Sequence, residues 1–247
     1  MERSRTRVLV VVQARMGSTR LPGKVLEDLG GMTVLEWVLR GCRAAALADE
    51  VVVATSTDPR DDAVEEAARR LGVDVVRGSE DDVLSRFLLA LDEHPADAVV
   101  RVTADCPFVD PDLIDALIGS WRGVQRLDYV STVLVRTLPH GLDVELVTAT
   151  ALRRVGEVAT GHHRVHVTSG VYTAPDDFAV MGLCFAPAAS DIRVTLDTPD
   201  DLRMLRAVVA ERGTSLPSRT ELVTLLRSRP DLVAINASVR QKTLAEG

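Results

Sequence analysis

The chain has 247 residues, of which 46% are hydrophobic and only 3% aromatic, so its core must be built from Val, Leu and Ala. The net charge of −7 argues against a general nucleic-acid-binding surface, and no apolar run is long enough to span a membrane. The three cysteines, Cys42, Cys106 and Cys184, are widely spaced and odd in number, which fits neither a disulfide framework nor a zinc site. We therefore expect a cytoplasmic protein with a single domain over 1–247.

The first apolar run, Val8–Val12, shows no alternation, which is typical of a strand buried on both faces of a parallel sheet. The loop that follows carries three cations, Arg15, Arg20 and Lys24, and Gly17 lets its backbone approach a ligand closely. Clustered cations and free amides at the carboxyl end of a strand predict a polyphosphate-binding site. The alternative is a surface loop whose charges are solvated.

The following segments alternate between helix and strand. Helices are predicted over 32–47, 58–71, 81–93 and 111–118, and strands over 50–55, 73–76 and 97–102. This alternation implies right-handed crossovers and a mostly parallel sheet sandwiched by helices, which is a Rossmann-like α/β fold. The loops at Arg15, Thr55, Ser79 and Asp105 all fall at the carboxyl edge of that sheet, where such folds bind ligands.

The pattern changes at about residue 127. Strands are predicted over 129–135 and 142–147, with a helix over 148–158 and at least one strand within 171–183. We interpret 127–190 as an inserted α+β subregion that covers the cleft or forms a dimer surface. A core strand over 192–196 then returns to the sheet, and helices are predicted over 200–212 and 221–228.

Two aspartates, Asp105 and Asp197, each lie at the predicted end of a strand, in distant parts of the chain. Carboxylate oxygens of this kind hold Mg²⁺, which usually binds one or two carboxylates together with substrate phosphates. The alternative is structural, with Asp105 capping the turn before Pro107 and Asp197 capping the helix after Pro199.

The loop sequence Gln13-Ala14-Arg15-Met16-Gly17-Ser18-Thr19-Arg20-Leu21-Pro22-Gly23-Lys24 resembles the nucleotide-binding loop of the spore-coat-polysaccharide-type cytidylyltransferases. These are relatives of the acylneuraminate and 3-deoxy-manno-octulosonate cytidylyltransferases. The resemblance implies a nucleotide-diphospho-sugar-transferase (GT-A-like) fold, CTP as substrate and Mg²⁺ on Asp105 and Asp197. The residues predicted to be catalytic are Arg15, Lys24, Asp105 and Asp197. Those predicted to bind the nucleotide are Gln13, Ala14, Arg15, Met16, Gly17, Ser18, Arg20, Lys24, Ser79, Arg101, Thr103 and Ala104.

The resemblance extends to other segments. In the family, the segment that matches Arg77–Leu84 contacts the base and ribose, and an arginine placed like Arg101 faces the nucleotide. The alternative for Arg101 is a salt bridge at the edge of the core. The tail over 235–242 also resembles the end of the family, so the resemblance covers nearly the whole chain.

Two alternating stretches match the acceptor-binding segments of the family. The residues concerned are His140, Asp143 and Glu145, and then Arg164, His166 and Thr168. Alternation predicts that Asp143 and Glu145 share one face of a strand, and that the second stretch is likewise extended. The alternative is that these charges face solvent. The usual Arg-Glu-His-Val-Thr of the family reads Arg-Val-His-Val-Thr here, so that Val165 replaces its glutamate.

The predicted activity is Mg²⁺-dependent transfer of CMP from CTP to an oxygen of a sugar or sugar-like acceptor, with release of pyrophosphate. The acceptor oxygen belongs to an anomeric hydroxyl or a phosphate, and we expect a homodimer. One alternative is a guanylyl- or uridylyltransferase that acts on a sugar phosphate. Others are a glycosyltransferase of the GT-A type, for which the Asp-x-Asp motif is missing around Asp105, and a non-catalytic nucleotide-binding module.

Overall fold

The computed structural model describes residues 6–241, so Lys242 of the family-like tail lies outside the described residues. Its centre is one seven-stranded sheet with the strand order β3-β2-β1-β4-β6-β5-β7. The strands are β1 (Val8–Gln13), β2 (Glu50–Ser56), β3 (Asp74–Gly78), β4 (Ala98–Thr103), β5 (Tyr129–Ser131), β6 (Glu145–Thr148) and β7 (Val180–Gly182). The predicted α/β, Rossmann-like fold is confirmed.

The four strands from the first half of the chain are parallel, and β1, β2 and β4 are buried on both faces. Val8, Val10 and Val12 of β1 pack into the apolar cluster on one face of the sheet, and Leu9 and Val11 pack into the cluster on the other. Helices cover both faces, so polar residues have no favourable position inside the strand and the alternation disappears. The carboxyl ends of these strands consequently meet at one edge.

The helices largely follow the predicted order. They are α1 (Val34–Ala44), α2 (Asp62–Arg70), α3 (Val83–Glu93), α4 (Pro111–Gly123), α5 (Ala149–Val158), α6 (His162–Val165), α7 (Ser169–Tyr172), α8 (Pro199–Arg212), α9 (Arg219–Ser228) and α10 (Pro230–Ala234). Short 3₁₀ turns occupy Lys24–Leu26 and Pro59–Asp61. The helices α6, α7 and α10 are too short to show a 3.6-residue periodicity in sequence. None of the helices in the described part of the chain has both the length and the apolar character that a bilayer crossing requires.

The second half of the chain continues the same sheet. Strand β6 runs antiparallel to both β4 and β5, and β7 pairs in parallel with β5 at the outer edge. Strands β5 and β6 are shorter than predicted, and β6 begins only at Glu145, so Asp143 lies outside it. The region 127–190 therefore supplies three strands of the main sheet.

Two predicted extended stretches are wrong. The segment 192–196 is buried but forms only an isolated bridge between Arg193 and His140. Its backbone bonds go to two different loops: His140 N donates to the Ile192 carbonyl at 2.9 Å, and Leu196 N donates to the Asp105 carbonyl at 2.8 Å. No single partner strand runs alongside it, so no ladder forms.

The second correction concerns Arg164, His166 and Thr168, which do not alternate along a strand. Helix α6 ends at Val165 and α7 begins at Ser169. The backbone hydrogen bonds here are local, because His166 N donates to the His162 carbonyl at 2.8 Å and Ser169 N to the His166 carbonyl at 2.7 Å. The backbone N–H groups of this segment form hydrogen bonds within local turns, so they are not available to pair with a neighbouring strand.

Candidate active site

The centre of the site is the side chain of Lys24, which lies between two carboxylates. Its Nζ donates to Asp105 Oδ2 at 2.6 Å and to Asp197 Oδ1 at 2.7 Å. Asp105 follows β4, and Asp197 follows the buried segment 192–196. The hydrogen bond from Leu196 N to the Asp105 carbonyl holds that segment against the loop after β4. This backbone clip brings together two aspartates from distant parts of the chain, as the sequence predicted.

Burial alone would lower the pKa of Lys24, whose side chain is only 12% exposed, but the two carboxylates outweigh it and the pKa is raised. Burial likewise disfavours the charged form of Asp197. The attraction and hydrogen bonds of Lys24, Arg193 and Arg20 reverse that effect and hold its pKa at about 2. The pKa of Asp105 is lowered for the same reason, chiefly by Lys24 against the effect of burial. All three groups are therefore charged at neutral pH.

A network behind Asp197 fixes its position. Arg193 donates to Asp197 Oδ2 at 2.6 Å and to Asp201 Oδ1 at 2.9 Å, and Asn236 also donates to Asp201 at 2.8 Å. Thr198, and not Asp197, is the N-cap of α8, in a capping box with Asp201. The capping alternative for Asp197 is thereby excluded. Sequence reasoning missed the roles of Arg193 and Asp201, although the spacing of Thr198 and Asp201 is a capping-box signal.

The start of the cation-bearing loop is attached to the strands on both sides of β1. Ala14 N donates to the Ala54 carbonyl at 3.1 Å, and Ala104 N donates to the Gln13 carbonyl at 2.9 Å. Met16 N donates at 2.7 Å to the buried carboxylate of Asp61, which also accepts from Ser56 N at 3.1 Å. Asp61 was not predicted, because a carboxylate in the first turn of a helix looks like an ordinary exposed residue.

The rest of this loop turns back towards the centre. Gly23 has a left-handed φ of 72°, which places Lys24 at the start of a 3₁₀ turn. Arg20 reaches Asp197 Oδ2 at 3.0 Å. Ser18 Oγ accepts from Leu21 N at 3.3 Å, and Ser79 Oγ accepts from Asp82 N at 3.1 Å, so each hydroxyl stabilises a turn in this structure.

A second polar cluster lies beside the first and consists of Gln13, Arg101, Glu145 and Thr168. Arg101 donates to Gln13 Oε1 at 3.2 Å and to Glu145 Oε1 at 3.3 Å, and the Thr168 hydroxyl donates to the other oxygen of Glu145. Glu145 is only 8% exposed, and Thr168 is buried. These side chains therefore do not simply face solvent, and the salt-bridge alternative for Arg101 matches this structure.

The other predicted acceptor residues are placed elsewhere. Asp143 forms a two-pronged pair with Arg136 at 2.6 and 3.1 Å, and Arg164 pairs with Asp82. His140 bridges to Arg193, and burial together with Arg136 lowers its pKa. His166 lies in the turn after α6. Glu145 and Thr168 are joined through their side chains, whereas Asp143 and Arg164 pair with residues outside the predicted acceptor set.

The two carboxylates of the centre fit a divalent cation. Asp105 and Asp197 supply hard oxygen ligands on either side of a single positive charge, which Lys24 provides in this structure. A separate group of possible ligands, Glu50, Asp74 and His94, lies within 4.8 Å of one another. It occupies the amino ends of β2 and β3, at the opposite edge of the sheet, and none of its members belongs to the predicted site.

Comparison with known proteins gives consistent matches. A family model described as "Cytidylyltransferase" matches residues 9–155. The chain is 35% identical over 234 residues to the spore coat polysaccharide biosynthesis protein SpsF of Bacillus subtilis (strain 168), covering 91% of this chain and 95% of that protein. It is 32% identical over 141 residues to the 3-deoxy-manno-octulosonate cytidylyltransferase of Bdellovibrio bacteriovorus, covering 56% and 53%. The solved structure of a cytidylyltransferase from Leptospira borgpetersenii superposes with a TM-score of 0.90 at 28% identity, covering 96% and 100%.

Proposed function

We propose that this chain, which belongs to the cytidylyltransferase family, transfers CMP from CTP to an oxygen of a sugar or sugar-like acceptor that carries an acid or phosphate group. The observation that carries the proposal is the position of Lys24 between Asp105 and Asp197, at the end of a cation-bearing loop. Membership of the family makes the chain a nucleotidyltransferase. We propose CTP as its nucleotide, the class of acceptor given above and the residue roles given below.

The reaction joins the acceptor oxygen to the α-phosphorus of CTP and breaks the bond from that phosphorus to the oxygen that bridges to the β-phosphate. The pyrophosphate leaves with that bridging oxygen and its electron pair. Arg15, Arg20 and Lys24 donate hydrogen bonds to the β- and γ-phosphates and stabilise the charge that develops on them. An acceptor phosphate is already anionic and attacks without losing a proton, whereas an acceptor hydroxyl would release its proton to solvent as the new bond forms.

Asp105 and Asp197 would hold Mg²⁺, which would neutralise phosphate charge and align the reacting oxygens. Lys24 would then leave its present position between them, because Mg²⁺ placed between the same two oxygens would repel its ammonium group. The flexible stem of lysine allows its ammonium group to turn towards the phosphates instead. Lys24 thus balances the charge of the two carboxylates before substrate binds, and afterwards it stabilises the negative charge on the pyrophosphate leaving group.

The acceptor is proposed to bind beside the second polar cluster. Arg101, which the family resemblance assigns to the nucleotide, is proposed here to face the acceptor instead: its guanidinium group is 17% exposed, and Glu145 holds it in place. A fixed guanidinium is suited to a carboxylate or phosphate of the acceptor. The relative named above acts on 3-deoxy-manno-octulosonate, a sugar acid, which favours this class. We also propose that 127–190 carries the acceptor contacts and those of a homodimer, and that the protein acts in the cytoplasm.

The test is pyrophosphate release with each nucleoside triphosphate, Mg²⁺ and a library of sugars, sugar acids and sugar phosphates. Release with CTP and one acceptor supports the proposal. Release with GTP or UTP and a sugar phosphate would favour a guanylyl- or uridylyltransferase. A parallel assay supplies nucleotide sugars in place of the triphosphates, and sugar transfer there without pyrophosphate release would favour a glycosyltransferase. Binding without turnover in either assay would favour a non-catalytic module.

A further inference from the structure

Three side chains that can ligate a metal meet at the amino edge of the sheet, opposite the candidate active site. Glu50 is the first residue of β2, Asp74 is the first residue of β3, and His94 is the C-cap residue of α3. One ligand atom from each lies within 4.8 Å of the other two. Strand β2 has seven residues, which rise about 3.3 Å each, so this group lies about 20 Å from the carboxyl edge. It is therefore separate from the phosphate and acceptor contacts proposed above.

The fold places the three side chains on one face of the sheet. Side chains two residues apart in a strand share a face, and Val52 of β2 and Val76 of β3 both belong to the apolar cluster on which α3 packs. Glu50 precedes Val52 by two residues, and Asp74 precedes Val76 by two. Both carboxylates are therefore on the α3 side of the sheet, where the end of the helix brings His94 to them.

Two of the three ligands are already held in position. His94 Nδ1 lies 2.7 Å from Glu50 Oε1, and only 16% of the His94 side chain and 25% of the Glu50 side chain are exposed. Arg7 donates to the other oxygen, Glu50 Oε2, and fixes the orientation of this carboxylate. A partner on the second oxygen of a carboxylate ligand is the outer contact that orients such a ligand in metal sites.

Asp74 gives the group an excess of negative charge. Within residues 6–241, Glu50 pairs with Arg7, but no lysine or arginine pairs with Asp74. The 11-residue helix α3 adds the negative end of its dipole, because its C-terminus lies at His94. Neighbouring carboxylates repel each other, and a cation placed between them removes that repulsion. The charges therefore favour a cation at the point where the three ligands converge.

We propose that Glu50, Asp74 and His94 form a second metal site, which binds a divalent transition-metal ion such as Zn²⁺. One imidazole nitrogen and two carboxylate oxygens suit Zn²⁺, whereas Mg²⁺ prefers oxygen ligands alone. Water takes the fourth position of the tetrahedron. The ion joins the starts of β2 and β3 to the end of α3, so its effect is on stability rather than on the transfer reaction.

Small side-chain movements complete the site. Bonds of about 2.0 to 2.2 Å to a tetrahedral Zn²⁺ place the ligand atoms about 3.4 Å apart. The present separations are at most 4.8 Å, and the exposed carboxylate of Asp74 can turn inwards to close the difference. Zn²⁺ takes the place of the proton between His94 Nδ1 and Glu50 Oε1. That proton passes to Nε2 of the ring or to solvent.

The experiment is calorimetric titration of Zn²⁺ into metal-free protein, with melting temperatures measured in parallel. Free Zn²⁺ at about 100 times its Kd should raise the melting temperature of wild type by about 5 to 10 °C. His94→Gln removes the nitrogen ligand and Asp74→Asn removes a charged oxygen ligand. Each should weaken the binding of Zn²⁺ at this site by at least about tenfold and abolish most of the rise. Asp74 is exposed, so Asp74→Asn keeps the test valid should His94→Gln fail to fold.

Two controls separate this site from other places where Zn²⁺ could bind. Glu93→Gln removes an exposed carboxylate beside His94 that does not belong to the group, and it should behave like wild type. Asp197→Asn alters the candidate active site and should keep the rise in melting temperature. Zn²⁺ binding that is unchanged in His94→Gln and Asp74→Asn, as at the carboxylate centre or the exposed thiol of Cys184, would overturn the proposal. A wild-type protein that does not bind Zn²⁺ would overturn it as well.

Discussion

The two polar clusters at the carboxyl edge differ in how firmly the fold holds them. Asp105 follows the six-residue strand β4, and its partner Asp197 is fixed by Arg193 and by a backbone clip at Leu196. In the second cluster, Glu145 begins a strand of four residues, and Thr168 lies between two helices of four residues each. Longer elements and more backbone contacts leave the first cluster fewer alternative arrangements.

This difference corresponds to two chemical tasks. The phosphates and the reacting atoms require fixed charges, because preorganisation supplies most of the stabilisation of a developing pyrophosphate. An acceptor pocket must instead suit one sugar, and it is built on short elements whose sequence can change without disturbing the parallel strands. The first cluster should therefore control turnover, and the second should control the affinity for the acceptor.

The largest effect is expected from the carboxylates. Asp105→Asn and Asp197→Asn should each lower the rate of pyrophosphate release by at least about 100- to 1000-fold, since each removes one of two charged oxygen ligands. Both variants should still fold, because Lys24 keeps its contact with the remaining carboxylate. Asp92→Asn, at an exposed surface pair, is the control. Full Mg²⁺-dependent activity in both variants would contradict the metal site.

Removal of the loop cations should have the next largest effect. Lys24→Ala and Arg15→Ala should each cost about 3 kcal/mol of transition-state stabilisation, which is roughly a 100-fold loss of turnover. The KM of the acceptor should change little in both variants. Steady-state kinetics with CTP saturating would check this, with Arg153→Ala on α5 as the control. If turnover in both variants equals that of wild type, the loop is not the triphosphate site.

The contrast between the clusters also explains which features could be predicted from sequence. Uninterrupted apolar runs such as Val8–Val12 specify buried parallel strands, so the placement of the cation-bearing loop after β1 and of Asp105 after β4 followed from local patterns. The meeting of Asp105 with Asp197 depended on the return of the chain to the sheet. The two carboxylates do meet, although the segment that brings Asp197 back to the sheet is not a strand.

The second cluster was only partly predictable. Alternating charges indicated strands at 142–147 and 164–168, but turns close their hydrogen bonds locally in the second stretch. Asp61 gave no signal in sequence, because a carboxylate in the first turn of a helix is usually exposed and only tertiary packing buries it.

The carboxylate centre should also contribute to acid stability. The folded pKa of Asp197, about 2, lies below its ordinary value of 3.8, so its contribution is complete above about pH 4 and disappears as the pH falls towards 2. The expected loss is about 2 kcal/mol. Denaturant unfolding in a chelating buffer at pH 5, 4 and 3 would measure it. Asp197→Asn should lack this pH-dependent contribution to stability. Asp143→Asn, which removes a carboxylate outside the centre that pairs with Arg136, should retain it. Equal slopes in wild type and Asp197→Asn would show that the charges around Asp197 are not coupled in this way.

The smallest effect tests the second cluster directly. Thr168→Val keeps the shape of a side chain that is 1% exposed but removes the hydroxyl that donates to Glu145. The lost bond to a charged group should lower the free energy of unfolding by about 1.5 kcal/mol. Glu145 then no longer holds Arg101 in one position, so the KM of the acceptor should rise about tenfold, which corresponds to 1.4 kcal/mol. The KM of CTP should stay unchanged, because the phosphate loop and the carboxylate centre do not depend on this hydroxyl. Thr173→Val, whose hydroxyl donates at 2.6 Å to the Ser169 carbonyl within the same region, is the matched control. If Thr168→Val raises the KM of CTP as much as that of the acceptor, the second cluster belongs to the nucleotide site, and the proposed division between the two clusters is wrong.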